Sequence, residues 1–348
     1  MPKTVRVGLI GAGGIAQAAH VPGYKAQEDV ELVAVCDVVP GKAAAVAAEV
    51  GIPSAYDSYA EMLENESLDA VSVCTPNMAH KEATLAALAC GLHVLCEKPI
   101  AMNLQEGREM VAAAREANRV LQIGLHWRFT PEVQTLKRFI DAGEMGDIYY
   151  GEATYLRRRG IPTWGVFTQK KFQGGGAMID IGVHTLDHTM WLMGNPKPVS
   201  VMGATYAAFG KRDDVAKPRG DWGTEKFDVD DMGIAMVRFE TGATLILRAS
   251  WAAHIPDNAQ GTRVLGSHGG ATMSPLVICK DVHGSMVDVT PTVPKAQVKP
   301  HTTEIGHFIA CVRGECECLV VPEQVLDVQA VLDAIYESGV TGHEVRLD

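Results

Sequence analysis

Several absences narrow what this chain can be. It has no long basic stretch, and a formal net charge of −11 over 348 residues makes nucleic acid and an anionic membrane poor partners. No apolar run is long enough to span a bilayer. Met1-Pro2-Lys3 leads toward a strand pattern and not into a secretory apolar region, so the expected location is the cytoplasm. No two cysteines have C-x-x-C spacing. The eight cysteines are therefore expected as free thiols, with Cys36, Cys74, Cys90 and Cys96 acting as small hydrophobes in apolar segments. Cys311, Cys316 and Cys318 lie close together, but their spacing lacks a paired C-x-x-C and no metal is expected there. Internal repeats and low-complexity segments are also missing.

The remaining pattern is that of a two-domain soluble enzyme. Val5-Arg6-Val7-Gly8-Leu9-Ile10 reads as a buried parallel strand. It runs into Gly11-Ala12-Gly13-Gly14-Ile15-Ala16, a G-x-G-x-x-A dinucleotide fingerprint. Gly11 would make the tight turn, Gly13 would admit a pyrophosphate, and Ala16 would let the following helix pack closely. Gly14 and Ile15 complete the loop. A second strand, Glu31 to Cys36, ends at Asp37, 21 residues after Ala16. A carboxylate there can bind a ribose 2′-hydroxyl and would repel a 2′-phosphate, which favours NAD over NADP.

Strand and helix continue to alternate up to the strand Val120 to Ile123, as in a doubly wound sheet. The strand Asp69 to Cys74 ends in Thr75-Pro76-Asn77, placed to line the cofactor or simply to cap a helix. The apolar run Leu92 to Cys96 ends in Glu97-Lys98-Pro99, at the carboxyl edge where open α/β sheets bind ligands. Lys98 can hydrogen-bond and charge-stabilise a substrate oxygen there. Past residue 125 strands come in runs, near Ile148 to Tyr155, Val199 to Ala207, Met232 to Phe239, Thr244 to Ser250 and Gln260 to Leu265. This predicts a Rossmann domain over 1–125 and an α+β domain with a large, mostly antiparallel sheet over 126–348. The polar stretch Gly210 to Lys226 reads as a surface loop. Late helices are expected over Thr303 to Val312 and Glu323 to Ser338.

Gly174-Gly175-Gly176 precedes a helical pattern that contains Asp180, His184, Asp187 and His188. On a helix Asp180 and His184 stack on one face. The carboxylate can orient the imidazole, and histidine is the usual general base near neutral pH. The glycine run would let backbone approach a ligand. A core histidine is the ordinary alternative. A rival functional reading takes Asp180, His184 and His188 as metal ligands, although no fourth ligand is evident.

These motifs together resemble the Gfo/Idh/MocA oxidoreductases, the glucose-fructose oxidoreductase and inositol dehydrogenase group. The resemblance rests on G-x-G-x-x-A at Gly11 to Ala16, Glu97-Lys98-Pro99, and G-G-G-x-x-x-D-x-G-x-H at Gly174 to His184. Phe227-Asp228-Val229-Asp230-Asp231 and the terminal Ala334 to Ser338 extend it along nearly the whole chain. It implies a tightly bound NAD or NADP, a dimer or tetramer assembled through the C-terminal sheet, and a catalytic triad of Lys98, Asp180 and His184. The expected reaction is hydride transfer at a carbinol carbon of a sugar or cyclic polyol. Lys98 and His184 would face the substrate oxygen, with Asp180 on a hydroxyl. Trp164 is a candidate stacking face for the ring, and Arg128 a candidate contact to cofactor or substrate. The neighbouring Arg157, Arg158 and Arg159 are expected chiefly in structural pairs. The resemblance also covers NAD-dependent glycosidases that use transient oxidation, and dinucleotide-binding regulators without turnover.

Overall fold

The structure, a computed structural model, describes residues 4–347; Met1, Pro2, Lys3 and Asp348 lie outside the described residues. The chain forms two compact units, Met1–Phe129 with Ala296–Leu326, and Thr130–Lys295 with Asp327–Asp348.

In the first unit six parallel strands are ordered β3-β2-β1-β4-β5-β6. They are β1 Val5–Ile10, β2 Val30–Cys36, β3 Ser54–Tyr56, β4 Ala70–Val73, β5 His93–Cys96 and β6 Leu121–Ile123. Val7, Leu9, Val71, Val73, Val94 and Leu95 are wholly inaccessible, as expected where helices cover both faces of a parallel sheet. The order reverses between β1 and β4, so the loops after these strands form the switch point where such sheets bind dinucleotides. Residues 126–348 do not all lie in the second unit. Helix Pro300–Val312 adds Ile305, Phe308 and Ile309 to the apolar cluster of Val7, Leu9, Tyr24 and Val35. That buried apolar face is the physical reason the segment returns to the Rossmann unit.

The second unit is built on nine strands ordered β14-β13-β12-β11-β7-β10-β9-β8-β15. They are β7 Ile148–Leu156, β8 Pro198–Tyr206, β9 Met232–Phe239, β10 Thr244–Ser250, β11 Ala259–Gly266, β12 Gly269–Thr272, β13 Val277–Val282, β14 Ser285–Val289 and β15 Val345–Arg346. Strands β7 and β10 run parallel, and the other neighbours are antiparallel. Alternation separates the two faces. Val201, Ala235, Val237, Leu245, Leu247 and Val264 are buried, and helix Val183–Leu192 lies on their side, every one of its side chains buried. On the opposite face Met202, Tyr206, Ile234 and Met236 are between 38% and 47% exposed. Among the described residues no helix is long and apolar enough to cross a membrane.

Candidate functional site

The glycine loop has the geometry its sequence suggests. Gly11 takes φ +99°, and a Cβ there would stand 2.7 Å from the Cys74 carbonyl oxygen. Gly11 N–H donates to Cys36 O at 2.8 Å, which ties the turn to β2. No atom stands within 4 Å of a Cβ placed on Gly14, so this side of the loop is open to a diphosphate. Ala16 is buried and begins a π turn, Ala16–His20, whose N-terminus no side chain caps. Helical backbone begins before it, at Gly14, and the N–H groups at that start suit an anion.

Asp37 follows β2 and accepts from Ala12 N–H at 2.9 Å, Val39 N–H at 3.0 Å and Lys42 Nζ at 2.7 Å. Burial pushes its pKa up, but the Lys42 ammonium and the two backbone donors outweigh this and hold it below the usual carboxylate range. A carboxylate has about four acceptor directions, which leaves capacity for a ribose hydroxyl. Thr75 Oγ1, at the end of β4, is buried with no hydrogen-bond partner, an orphan that a bound cofactor would satisfy. Pro76 is exposed, and Asn77 is buried and opens a 3₁₀ turn, Asn77–Ala79. The open loop, the ionised carboxylate and the orphaned hydroxyl all fit a nicotinamide dinucleotide.

Glu97 and Lys98 sit in an array that the motifs did not disclose. Glu97 is 7% exposed; its Oε1 lies 2.9 Å from His20 Nε2, and its Oε2 accepts Lys98 N–H at 3.2 Å. His20 Nδ1 lies 3.0 Å from Ser72 Oγ, which lies 2.7 Å from Tyr24 OH. Desolvation would raise the pKa of Glu97, yet the contact with His20 and the nearby Lys98 and His301 charges bring it down to about 2. An ionised Glu97 orders the hydrogens when His20 is neutral: His20 Nε2–H donates to Glu97, Ser72 O–H to His20 Nδ1, and Tyr24 O–H to Ser72. His126 and His301 stack with ring centroids 3.7 Å apart. Burial and the His301 charge lower the His126 pKa to about 3. His80 braces the two loops, with Nδ1 2.8 Å from Pro99 O and Nε2 3.1 Å from Thr75 O. These contacts hold Lys98 in a fixed turn at the sheet's carboxyl edge.

In the second unit the Asp180 to His184 segment is not a plain α-helix. Met178–Gly182 is a π turn that passes into the α-helix Val183–Leu192, and π turns recur at functional sites. Asp180 Oδ2 accepts the indole N–H of fully buried Trp251 at 2.9 Å. His184 is 7% exposed. His188 takes no part as a metal ligand. Its Nδ1–H donates to His184 O at 2.8 Å, and its Nε2 lies 2.6 Å from Thr262 Oγ1, which removes the Asp180, His184, His188 metal reading.

The glycine run serves the protein itself. A Cβ on Gly176 would fall 1.9 Å from Asp230 O, and one on Gly175 2.1 Å from Tyr336 OH. Asp230 accepts Gly176 N–H at 2.7 Å, Met178 N–H at 3.0 Å and Tyr336 O–H at 2.7 Å. The expected approach of a ligand to this backbone is thus an approach of Asp230, and the carboxylate caps the turn that carries Asp180. Asp231 binds the N–H groups of Ala208, Phe209 and Gly210. The Asp230-Asp231 pair and the terminal tyrosine are positioning elements.

Two expected substrate contacts fare differently. Arg128 is fully buried, and its guanidinium donates to Leu319 O at 3.2 Å and Gln324 Oε1 at 2.8 Å. The geometry gives it a holding role in place of the expected ligand contact. Trp164 is 57% exposed, edge-on to Phe167, so its indole is accessible. Arg157, Arg158 and Arg159 donate to the carbonyls of Gly160, Pro256 and Ala253. Among the described residues they form no ion pair; they brace loops by hydrogen bonds to backbone, and Arg157 also donates to Tyr155 OH at 2.9 Å.

Residues 5–125 match the oxidoreductase family with an NAD-binding Rossmann fold, and residues 133–272 match the GFO/IDH/MocA C-terminal domain. The chain belongs to the Gfo/Idh/MocA oxidoreductases. It is 37% identical over 344 residues to the D-glucoside 3-dehydrogenase of Escherichia coli K12, covering 99% of this chain and 97% of that one. It is 28% identical over 325 residues to the scyllo-inositol 2-dehydrogenase (NAD(+)) of Bacillus subtilis 168, covering 90% and 88%. A levoglucosan dehydrogenase solved with NADH and levoglucosan has the same fold, with TM-score 0.85, 24% identity, and coverage of 98% of this chain and 99% of that one. This Gfo/Idh/MocA chain is an NAD-dependent dehydrogenase, and the fit of the first unit to a dinucleotide agrees with that membership.

Proposed function

We propose that this Gfo/Idh/MocA dehydrogenase oxidises, reversibly, a secondary ring hydroxyl of an uncharged sugar or cyclic polyol, with a glucoside the first candidate. The observation that carries the reading is the end-to-end match to a D-glucoside 3-dehydrogenase in a chain that contains Lys98, Asp180 and His184. NAD, when bound, supplies the hydride acceptor. His184 takes the hydroxyl proton as general base, and Lys98 donates a hydrogen bond to the oxygen as negative charge builds on it. Asp180, oriented by Trp251, accepts from a substrate hydroxyl. Trp164 offers a ring face for stacking. Arg128, already committed to Leu319 and Gln324, plays no substrate role here. The exposed apolar face carrying Met202, Tyr206, Ile234 and Met236 is where we place contact with a second copy of the chain.

The test is an absorbance screen at the NADH band with purified protein, NAD and a panel of glucosides, aldoses, inositols and sugar acids. Net NADH should accumulate with neutral pyranosides or polyols. Glycoside cleavage without net NADH would mark a glycosidase that recycles its cofactor, and binding without turnover would mark a regulator; either overturns the proposal.

A further inference from the structure

Helix Pro300–Val312 carries His307 and Cys311 four residues apart, so both side chains lie on one face. Beyond the helix, Gly314 at φ +72° reverses the chain and brings Cys316 and Cys318 back to that face. Cys311 Sγ is 3.6 Å from Cys316 Sγ and 3.4 Å from His307 Nε2, and Cys316 Sγ is 3.7 Å from His307 Nδ1. The ligand atoms of His307, Cys311 and Cys318 all lie within 4.8 Å of one another. Tetrahedral zinc with sulfur at about 2.3 Å and nitrogen at about 2.0 Å has ligand-to-ligand edges of roughly 3.5–3.8 Å. Cys311 Sγ already stands at that spacing from Cys316 Sγ and from His307 Nε2, while Cys316 faces the other ring nitrogen, Nδ1.

We propose that His307, Cys311 and Cys318, whose ligand atoms converge, form a structural Zn²⁺ site that Cys316 completes by turning its thiol from His307 Nδ1 toward the metal. Three thiolates and one imidazole are a common structural zinc set, and four protein ligands leave no open position for substrate. Binding releases three thiol protons to solvent, and no bond to another group forms or breaks. His307 Nε2 is the ligand atom. It now accepts Leu319 N–H at 2.8 Å and lies 3.4 Å from Cys311 Sγ, so zinc would displace that backbone N–H from its lone pair. Zinc would then fasten the turn 313–319 to the last turn of the helix, beside Phe129, whose ring lies 5.3 Å from that of His307. A Cys311 to Cys316 disulfide would use only two of the four groups and leaves the convergence of Cys318 and His307 unexplained.

The test is metal analysis of the full chain, purified under reducing conditions from zinc-supplemented cells without a metal-affinity step. Elemental analysis should find close to one zinc per chain, with a thiol-blocking mercurial needed to release it to a chromophoric chelator. Cobalt substitution should give the intense visible bands and the sulfur-to-metal charge transfer of a tetrahedral thiolate site. The Cys316→Ser/Cys318→Ser variant should retain less than a tenth of the zinc. Zinc far below one per chain in the wild type, octahedral cobalt bands, or full retention of zinc in that variant would overturn the site. Because wild-type metal content is read first, a variant that folds poorly does not obscure the result. None of these readouts depends on the substrate.

Discussion

If, as proposed, His184 takes the hydroxyl proton and Lys98 meets the charge on the oxygen, loss of either should act on turnover more than on binding. Lys98→Ala and His184→Ala are each expected to lower kcat by roughly 10²-fold or more, the scale of a lost general acid or base. NAD affinity and the unfolding midpoint should stay close to wild type. Steady-state kinetics with a dye-binding melt checks this, and near-normal turnover in either variant would return that residue to a packing role. At this scale the sequence discloses residues whose role is local. Gly11 and Asp37 are legible because a turn and a strand end can be read over a few positions. The partners of Glu97 and Asp230 are not, because His20 lies 77 residues from Glu97 and Tyr336 lies 106 from Asp230. No periodicity or spacing rule links such pairs. The same is true of His307, which reads as one residue of an amphipathic helix until the turn after Val312 brings cysteines to it.

The elements of the first unit hold several imidazoles in environments that penalise protonation. For His80, His126 and His301 burial is the leading cause, and each pKa is lowered. A base whose folded pKa lies below its unfolded value binds fewer protons in the native state. The unfolded chain is therefore favoured as pH falls from about 6.5 toward the folded value. Glu97, lowered to about 2, adds in the same direction below about pH 4.5, since the native state needs it ionised. Stability of the Rossmann unit should thus decline from pH 7 to pH 4, by up to about 1.4 kcal/mol per pH unit for each histidine involved. Urea midpoints across that range test it. A midpoint that is flat or rises toward acid would contradict the buried, neutral imidazoles, and His126→Asn should shallow the slope. The strands of the doubly wound sheet were legible as apolar runs, apart from the three-residue β3. Strands β12 to β15 and helix Pro131–Asp141 were not. Gly269-Gly270-Ala271-Thr272 has little strand propensity and is held by pairing with β11 and β13. The π turns at Ala16–His20 and Met178–Gly182 leave no mark in a pattern read at helical spacing.

For the whole molecule, the alternation of β8, β9 and β10 puts Met202 beside Met236 and Ile246 on the outer face of the sheet. Exposed apolar side chains in one row are costly unless something covers them. If a second copy covers them, Ile234→Glu with Met236→Lys should convert a dimer or tetramer to monomer in light scattering without unfolding the sheet. An unchanged mass would place the interface elsewhere. In the proposed reaction the chain removes hydride from a secondary carbinol carbon and yields the oxidised product. It is tested most directly with a glucoside or polyol deuterated at the reacting carbon, incubated with the wild-type protein and NAD and followed by mass spectrometry. One deuterium should appear in NADH for each ketone formed, with a slower rate for the labelled substrate. Unlabelled NADH, or glycoside cleavage with no net NADH, would contradict it.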